Sequence, residues 1–348
     1  MFRHGRQRLR SIWNHLFPTR CAGCGAPLTA ANRSSAHIIP NALGGRLTSA
    51  WLICAKCNTE LDHLADHALI EAFGVIPTLL KIPRQRGTNP PKNLQTRNGA
   101  NVRLDPDGSL TATDMKYDVS TVPGGHSVDI SAPDRKRAAQ LIKRAGKQFP
   151  QLDPQLAEAH ARAASLPPDE ELAVRVNFGS AAVGGGAWSI MWLFYLLRVR
   201  RPLMPWSELK ATIVREQKQG TCFGVLSQVP PGLNGPDLEL GHVIVLRLVP
   251  STGELVAFVQ ILGVLKLAGV LGKARAGRRG FTQIYAYDVE GGREVTSQYS
   301  IEATAFDAQD WANIGIDMKD AEAARAEVEK VLEVVRRAYV RRTSTLPN

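Results

Sequence analysis

Residues 21–58, CAGCGAPLTAANRSSAHIIPNALGGRLTSAWLICAKCN, decide how the first part of this chain folds. Four of the five cysteines fall in two C-x-x-C pairs, Cys21/Cys24 and Cys54/Cys57, separated by 29 residues. Each pair suits a tight turn, and two such turns can aim four thiolates at one ion in the tetrahedral geometry of structural Zn²⁺. A redox C-x-x-C would need only one pair, and disulfides would require an oxidising compartment that nothing in the sequence indicates. Between the pairs runs Ala36-His37-Ile38-Ile39-Pro40-Asn41-Ala42-Leu43-Gly44-Gly45. Gly44 and Gly45 read as a turn, Leu47 to Ile53 as strand-like, and Asn58 as opening a helix to about Phe73. The order is β-turn-β-helix.

Outward from this stretch, the chain carries 43 Lys+Arg against 32 Asp+Glu in 348 residues, a net charge of +11 that favours a polyanionic partner. Residues 1–17 read as a basic amphipathic helix whose Arg3, Arg6 and Arg10 suit a phosphate backbone. They lack the continuous apolar core of a secretory signal, so a cytoplasmic location is expected. Ala181 to Leu197 is the one membrane-span candidate. It barely reaches the ~20 apolar residues a bilayer demands, and Gly184-Gly185-Gly186 interrupts it, so it reads as a buried helix entered through a glycine turn and no membrane is expected. Cys222 reads as a small buried apolar residue.

The fold class is α+β. A zinc module is expected over residues 18–75, followed by a basic, Pro-rich linker over 76–100 carrying Lys81, Arg84 and Arg86. An α+β domain over 101–348 completes the chain. Within it, Asp105-Pro106-Asp107-Gly108 marks a turn in a short β unit over Val102 to Val119, and residues 134–164 are helix-rich. Glu171 to Phe178 alternates as a strand, and Trp206 to Gln217 follows Pro205 as a helix. His242 to Val249 and Glu254 to Leu262 form a hairpin, Thr282 to Asp288 a strand, and Met318 to Arg341 a closing helix.

The first module resembles the HNH endonuclease family with its ββα-metal motif, specifically the subgroup written C-x-x-C, acid-H-I-I-P-x-x-L-G-G, C-x-x-C-N. The resemblance implies that His37 is the general base, that Asn58 holds a catalytic divalent metal, Mg²⁺ or Mn²⁺, and that the four cysteines hold structural zinc. Ser49 stands where many members have an asparagine that braces the loop. The resemblance further implies DNA as substrate, with RNA as an alternative, and products with a 5′ phosphate and a 3′ hydroxyl. Modules of this kind also serve in bacterial defence, an association by analogy.

Elementary chemistry agrees with those roles. An imidazole with a pKa near ~6.5 suits proton removal from an attacking water, and a closed four-thiolate zinc has no open position for substrate. Lys56, with Lys81, Arg84 and Arg86, would position a nucleic-acid backbone without reading sequence. Ala36 departs from the family pattern, because the acid usually found there is the second protein ligand of the catalytic metal. Either the chain has lost most of its activity, or another oxygen replaces the missing one, or the residue has been altered to stop catalysis. Asp62 and Asp66, at i+4 and i+8 from Asn58, are the candidate replacements. His63 and His67 form a further i, i+4 pair that reads as surface. A non-catalytic zinc module that binds nucleic acid, or a sensor or effector acting on RNA under protein or small-molecule control through the C-terminal domain, is the competing reading.

Overall fold

The computed structural model describes residues 20–85, 87–123, 125–132, 135–151, 172–173, 178, 180–219, 223–273, 279–302, 315–316 and 321–344. The basic N-terminal helix with Arg3, Arg6 and Arg10 lies outside the described residues, as do Arg86 and Cys222. The chain divides into two compact units, one built from Met1–Gly74 with Val176–Asn348 and the other from Val75–Arg175. The boundaries differ from those expected. The cysteine-rich module shares a unit with the C-terminal region, and the segment between them is a unit of its own.

In the module, β1 (Ala36–His37) pairs antiparallel with β2 (Thr48–Ser49), Ala36 opposite Ser49 and His37 opposite Thr48. The strand-like run thus shrinks to two residues. Gly44 takes φ +86, and a Cβ on Gly45 would overlap the Ile39 carbonyl, so the Gly-Gly pair is needed for the turn itself. Helix α1 (Ala55–Leu61) opens three residues before the expected start, because Cys54 sits at its N-cap in extended conformation and the Asn32 carbonyl accepts the Ala55 N–H at 2.8 Å. A π turn at Asp62–Asp66 joins it to α2 (His67–Ala72).

The second unit begins with α3 (Ile76–Leu79), then β3 (Lys92–Thr96), β4 (Asn101–Leu104) and β5 (Leu110–Ala112). A hairpin of β6 (Lys116–Val122) and β7 (Gly125–Ser131) follows, then α4 (Arg135–Gln148) and β8 (Leu172–Ala173). The four-stranded sheet runs β5-β4-β3-β8. Residues 76–100 are therefore not a linker. Asn89 is buried and its amide donates to the carbonyls of Pro77 and Ile82 at 3.2 and 3.0 Å, which folds the Pro-rich stretch on itself. The expected Asp105–Gly108 turn is present, closed by Gly108 N–H to Asp105 O at 2.9 Å.

The first unit resumes with α5 (Ser180–Val199) and α6 (Trp206–Gln219). Nine strands follow among the described residues: β9 (Phe223–Leu226), β10 (Leu233–Asn234), β11 (Gly241–Leu248), β12 (Glu254–Ile261), β13 (Leu265–Lys273), β14 (Phe281–Asp288), β15 (Arg293–Glu294), β16 (Ser300–Ile301) and β17 (Gly315–Ile316). Seven of them make an antiparallel sheet in the order β15-β14-β11-β12-β13-β9-β17. The described chain closes with α7 (Ala321–Ser344). Every residue of β11 is buried, so this central strand is covered on both faces, and Val245, Val256, Phe258 and Ala286 fill the core beside it.

The three glycines of α5 correct a second expectation. They lie inside the helix, not in a turn before it. A Cβ on Gly186 would stand 2.7 Å from Leu69 Cβ on α2, and one on Gly185 would stand 3.0 Å from Gln217 Cγ on α6. Glycine costs about 1 kcal/mol against alanine in a helix interior; here it lets α5 press between α2 and α6. No helix of the described residues is long and apolar enough to cross a membrane.

Candidate active site

The four cysteine sulfurs lie within 4.8 Å of one another, and Cys24 Sγ to Cys54 Sγ is 3.7 Å. Tetrahedral zinc with bonds of about 2.3 Å places its thiolates about 3.8 Å apart, so the donor set and its spacing fit Zn²⁺. Two details shape the cage. The Cys54 N–H donates to Cys21 Sγ at 3.2 Å, and a Cβ on Gly23 would come within 2.7 Å of Cys57 Sγ. Burial pushes the Cys21 and Cys57 thiols up, whereas the Ala26 backbone holds Cys24 down at about 7. Four thiolates this close need a cation to compensate them, which is what zinc supplies when bound.

The cage fixes the elements around it. Arg33 bridges Cys54 and Ala22 N–H bonds Leu52 O at 3.0 Å, tying the strand segment to the start of α1. His37 is half-buried on β1 and Asn58 half-buried in the first turn of α1. Ser49 Oγ accepts the Trp51 N–H at 3.3 Å, a local brace of the kind its position implies. Ala36 is fully buried. A methyl group there offers no oxygen to a metal.

The two candidate replacement carboxylates part company. Asp62 is exposed at the start of the π turn. Asp66, at the end of that turn, points inward to α5. Ser189 of α5 donates to its Oδ1 at 3.1 Å. Burial pushes its carboxyl up to about 7, the Ser189 bond opposing and Asp62 adding to the rise. Asp66 thus ties the module to α5. His63 and His67 are exposed, as expected. Among the described residues, the four cysteines are the one group of three or more His, Cys, Asp or Glu that converges tightly enough to hold a metal.

Of the basic residues, Lys56 is exposed on α1. Lys81 and Arg84 belong to the second unit and are used locally. The Lys81 side chain lies over Gly108 and lends charge to the depressed Asp107 carboxyl, whose lowering comes chiefly from Ser109. Arg84 donates to the Thr88 carbonyl at 3.3 Å.

The HNH endonuclease family model matches residues 21–74. This segment is an HNH module. No curated protein and no solved structure matches the chain. The matched family is one of endonucleases, which act on nucleic acid.

The structure also shows residues around the HNH module that no sequence motif marks. Lys210 and Trp206 of α6 bond Glu60 of α1 at 2.7 and 3.3 Å, and Lys210 foremost holds that carboxyl below the usual range. Gln217 donates to the Leu64 carbonyl at 2.6 Å, and Trp206 stacks at a tilt on Trp192, 5.5 Å between centroids. On the other side, the Leu43 carbonyl faces fully buried His242, which burial pushes down to about 4. His242 Nδ1 accepts the Leu262 N–H at 3.3 Å, and its Nε2 has no hydrogen-bond partner. The HIIP-to-GG loop is thereby seated on the C-terminal sheet, and α1 and α2 on α5 and α6.

Proposed function

We propose that the chain is a metal-dependent HNH endonuclease or nickase acting on DNA, weakened at one position. The observation that carries this reading is the ββα arrangement gathered around four converging cysteines, with a half-buried His37 on its first strand and Asn58 in the first turn of its helix. His37 is the general base: its imidazole takes the proton of the water that attacks phosphorus, a role worth ~10²–10⁴-fold in rate. Asn58 offers a side-chain oxygen to Mg²⁺ or Mn²⁺, and Asp62, exposed one turn on, is the remaining candidate carboxylate. Such a metal, when bound, supplies Lewis-acid stabilisation of the scissile phosphate. Lys56, exposed beside Asn58, is suited to a backbone phosphate. Without an acid at position 36 the set is thin, and weak metal affinity with slow cleavage is expected. Regulation or docking through the C-terminal sheet belongs to the same reading.

A second reading, a zinc module that binds nucleic acid without cutting it, is favoured by the buried methyl of Ala36. Supercoiled plasmid with Mg²⁺ or Mn²⁺ separates the two. Under the nuclease reading the chain nicks slowly, Ala36→Glu nicks faster, and His37→Ala abolishes both. Plasmid left intact by the chain and by Ala36→Glu would establish the second reading.

A further inference from the structure

We infer that α4 of the second unit is a separate binding surface for the phosphate backbone of duplex DNA, an inference that rests on the nuclease reading for its choice of polyanion. The helix sequence RKRAAQLIKRAGKQ holds six cations and no acid in 14 residues, and all six cations are exposed. Its buried residues Leu141, Ile142 and Ala145 mark one side. At 100° per residue, Lys136, Gln140, Lys143 and Lys147 fall in a single stripe opposite that side.

The stripe is about 16 Å long at 1.5 Å per residue, which matches about five 3.4 Å steps of a DNA strand. Lys136, Lys143 and Lys147 make no ion pair with other described residues. The contrast with α7 is informative, because an ordinary solvated helix pairs its cations along its own surface. There Arg325 pairs with Glu329 and Arg336 with Glu333.

The supporting hairpin keeps acids off this side. Tyr117 of β6 and His126 of β7 share the face toward the helix, Tyr117 lying under Arg144 at 4.9 Å and bonding Gln148 Oε1 at 2.9 Å. His126 meets Phe149 at 5.2 Å between centroids. Asp118 and Asp129, the hairpin's two acids, stand opposite each other, and by strand alternation on the other face. An anionic bilayer suits the helix less well, since its apolar residues are buried and unavailable for insertion.

Each lysine that neutralises a phosphate contributes about 0.9 to the slope of log K against log salt. The test is binding of a fluorescent 30-base-pair duplex by the full chain and by the triple variant Lys136→Gln, Lys143→Gln, Lys147→Gln, between 50 and 200 mM salt. The expected result is a slope shallower by about 2 to 3 and affinity at least about tenfold weaker at 100 mM. Because the three side chains are exposed, unchanged circular dichroism is expected. His37→Ala should bind with the parent slope, so that loss of cleavage and loss of binding are separable. Equal slopes for parent and triple variant overturn the inference while leaving the nuclease reading to its plasmid assay. Charge-dependent binding to phosphatidylserine vesicles with no binding to duplex DNA overturns it as well.

Discussion

Replacing Asp66 by asparagine tests whether this residue braces the interior or serves the metal. Its carboxyl is raised from the ordinary value of 3.8 to about 7, burial being the main cause. An acid raised in this way binds its proton in the folded state while the unfolded chain has released it, so stability falls as pH climbs from about 4 to about 7 and is level above. The Asp66→Asn variant would have no such loss, yet its new amide oxygen can still accept the Ser189 hydroxyl. The full gap between the two pKa values corresponds to about 4 kcal/mol, of which about 2 kcal/mol develops between pH 5.5 and 7.5. Residual solvent access to Asp66, which is only partly buried as a whole residue, trims that to about 1–2 kcal/mol. Thermal or urea unfolding of the zinc-loaded protein at pH 5.5, 6.5, 7.5 and 8.5 reads it directly. The Asp66→Asn advantage should grow across the first three points and then hold, with the Mg²⁺ or Mn²⁺ dependence of cleavage unchanged. A pH-independent difference, a loss of stability at pH 8.5, or a shifted metal requirement would refute the assignment.

Other outcomes follow from the same packing. Chelation of zinc, or Cys57→Ser, should unfold the HNH module and abolish cleavage, visible as lost helix signal that added Zn²⁺ restores in the parent alone. Gly186→Leu should cost about 1–3 kcal/mol by forcing α5 off α2, and combining it with Leu69→Ala should recover part of that in a double-mutant cycle. Ala36→Glu should lower the melting temperature in the absence of divalent metal, since it places a carboxylate where the methyl is fully buried. Mn²⁺ should then raise its melting temperature more than the parent's.

The HNH module was legible because its chemistry is local: the cysteine spacing, the histidine run and the Gly-Gly turn each follow from a few adjacent residues. The β11–β12 hairpin and the helices at Trp206 and Ala321 were legible for the same reason, as periodicity and turn residues specify them. What failed involved partners distant in sequence. Residues 76–100 look like a linker by composition, and only the side-chain bonds of Asn89 explain why they fold. The glycines of α5 look like a breaker until Leu69 and Gln217 are beside them. Asp66 reads as a ligand candidate one face along from Asn58, and the partner that holds it, Ser189, lies 123 residues further on.

The brace between α2 and α5 has a consequence for how the protein is made. Residues 75–175 form a unit of their own, and they separate the HNH module from the two helices that cover it. A nascent chain that has just released Gly74 must add 145 more residues before Gln219 emerges, on the order of ten seconds at ~5–20 residues per second. Through that interval Leu69 and Asp66 have no cover from α5, and the module would depend on a cation held by its four cysteines. Metal supply during synthesis, more than in the finished molecule, is where this fold is most exposed.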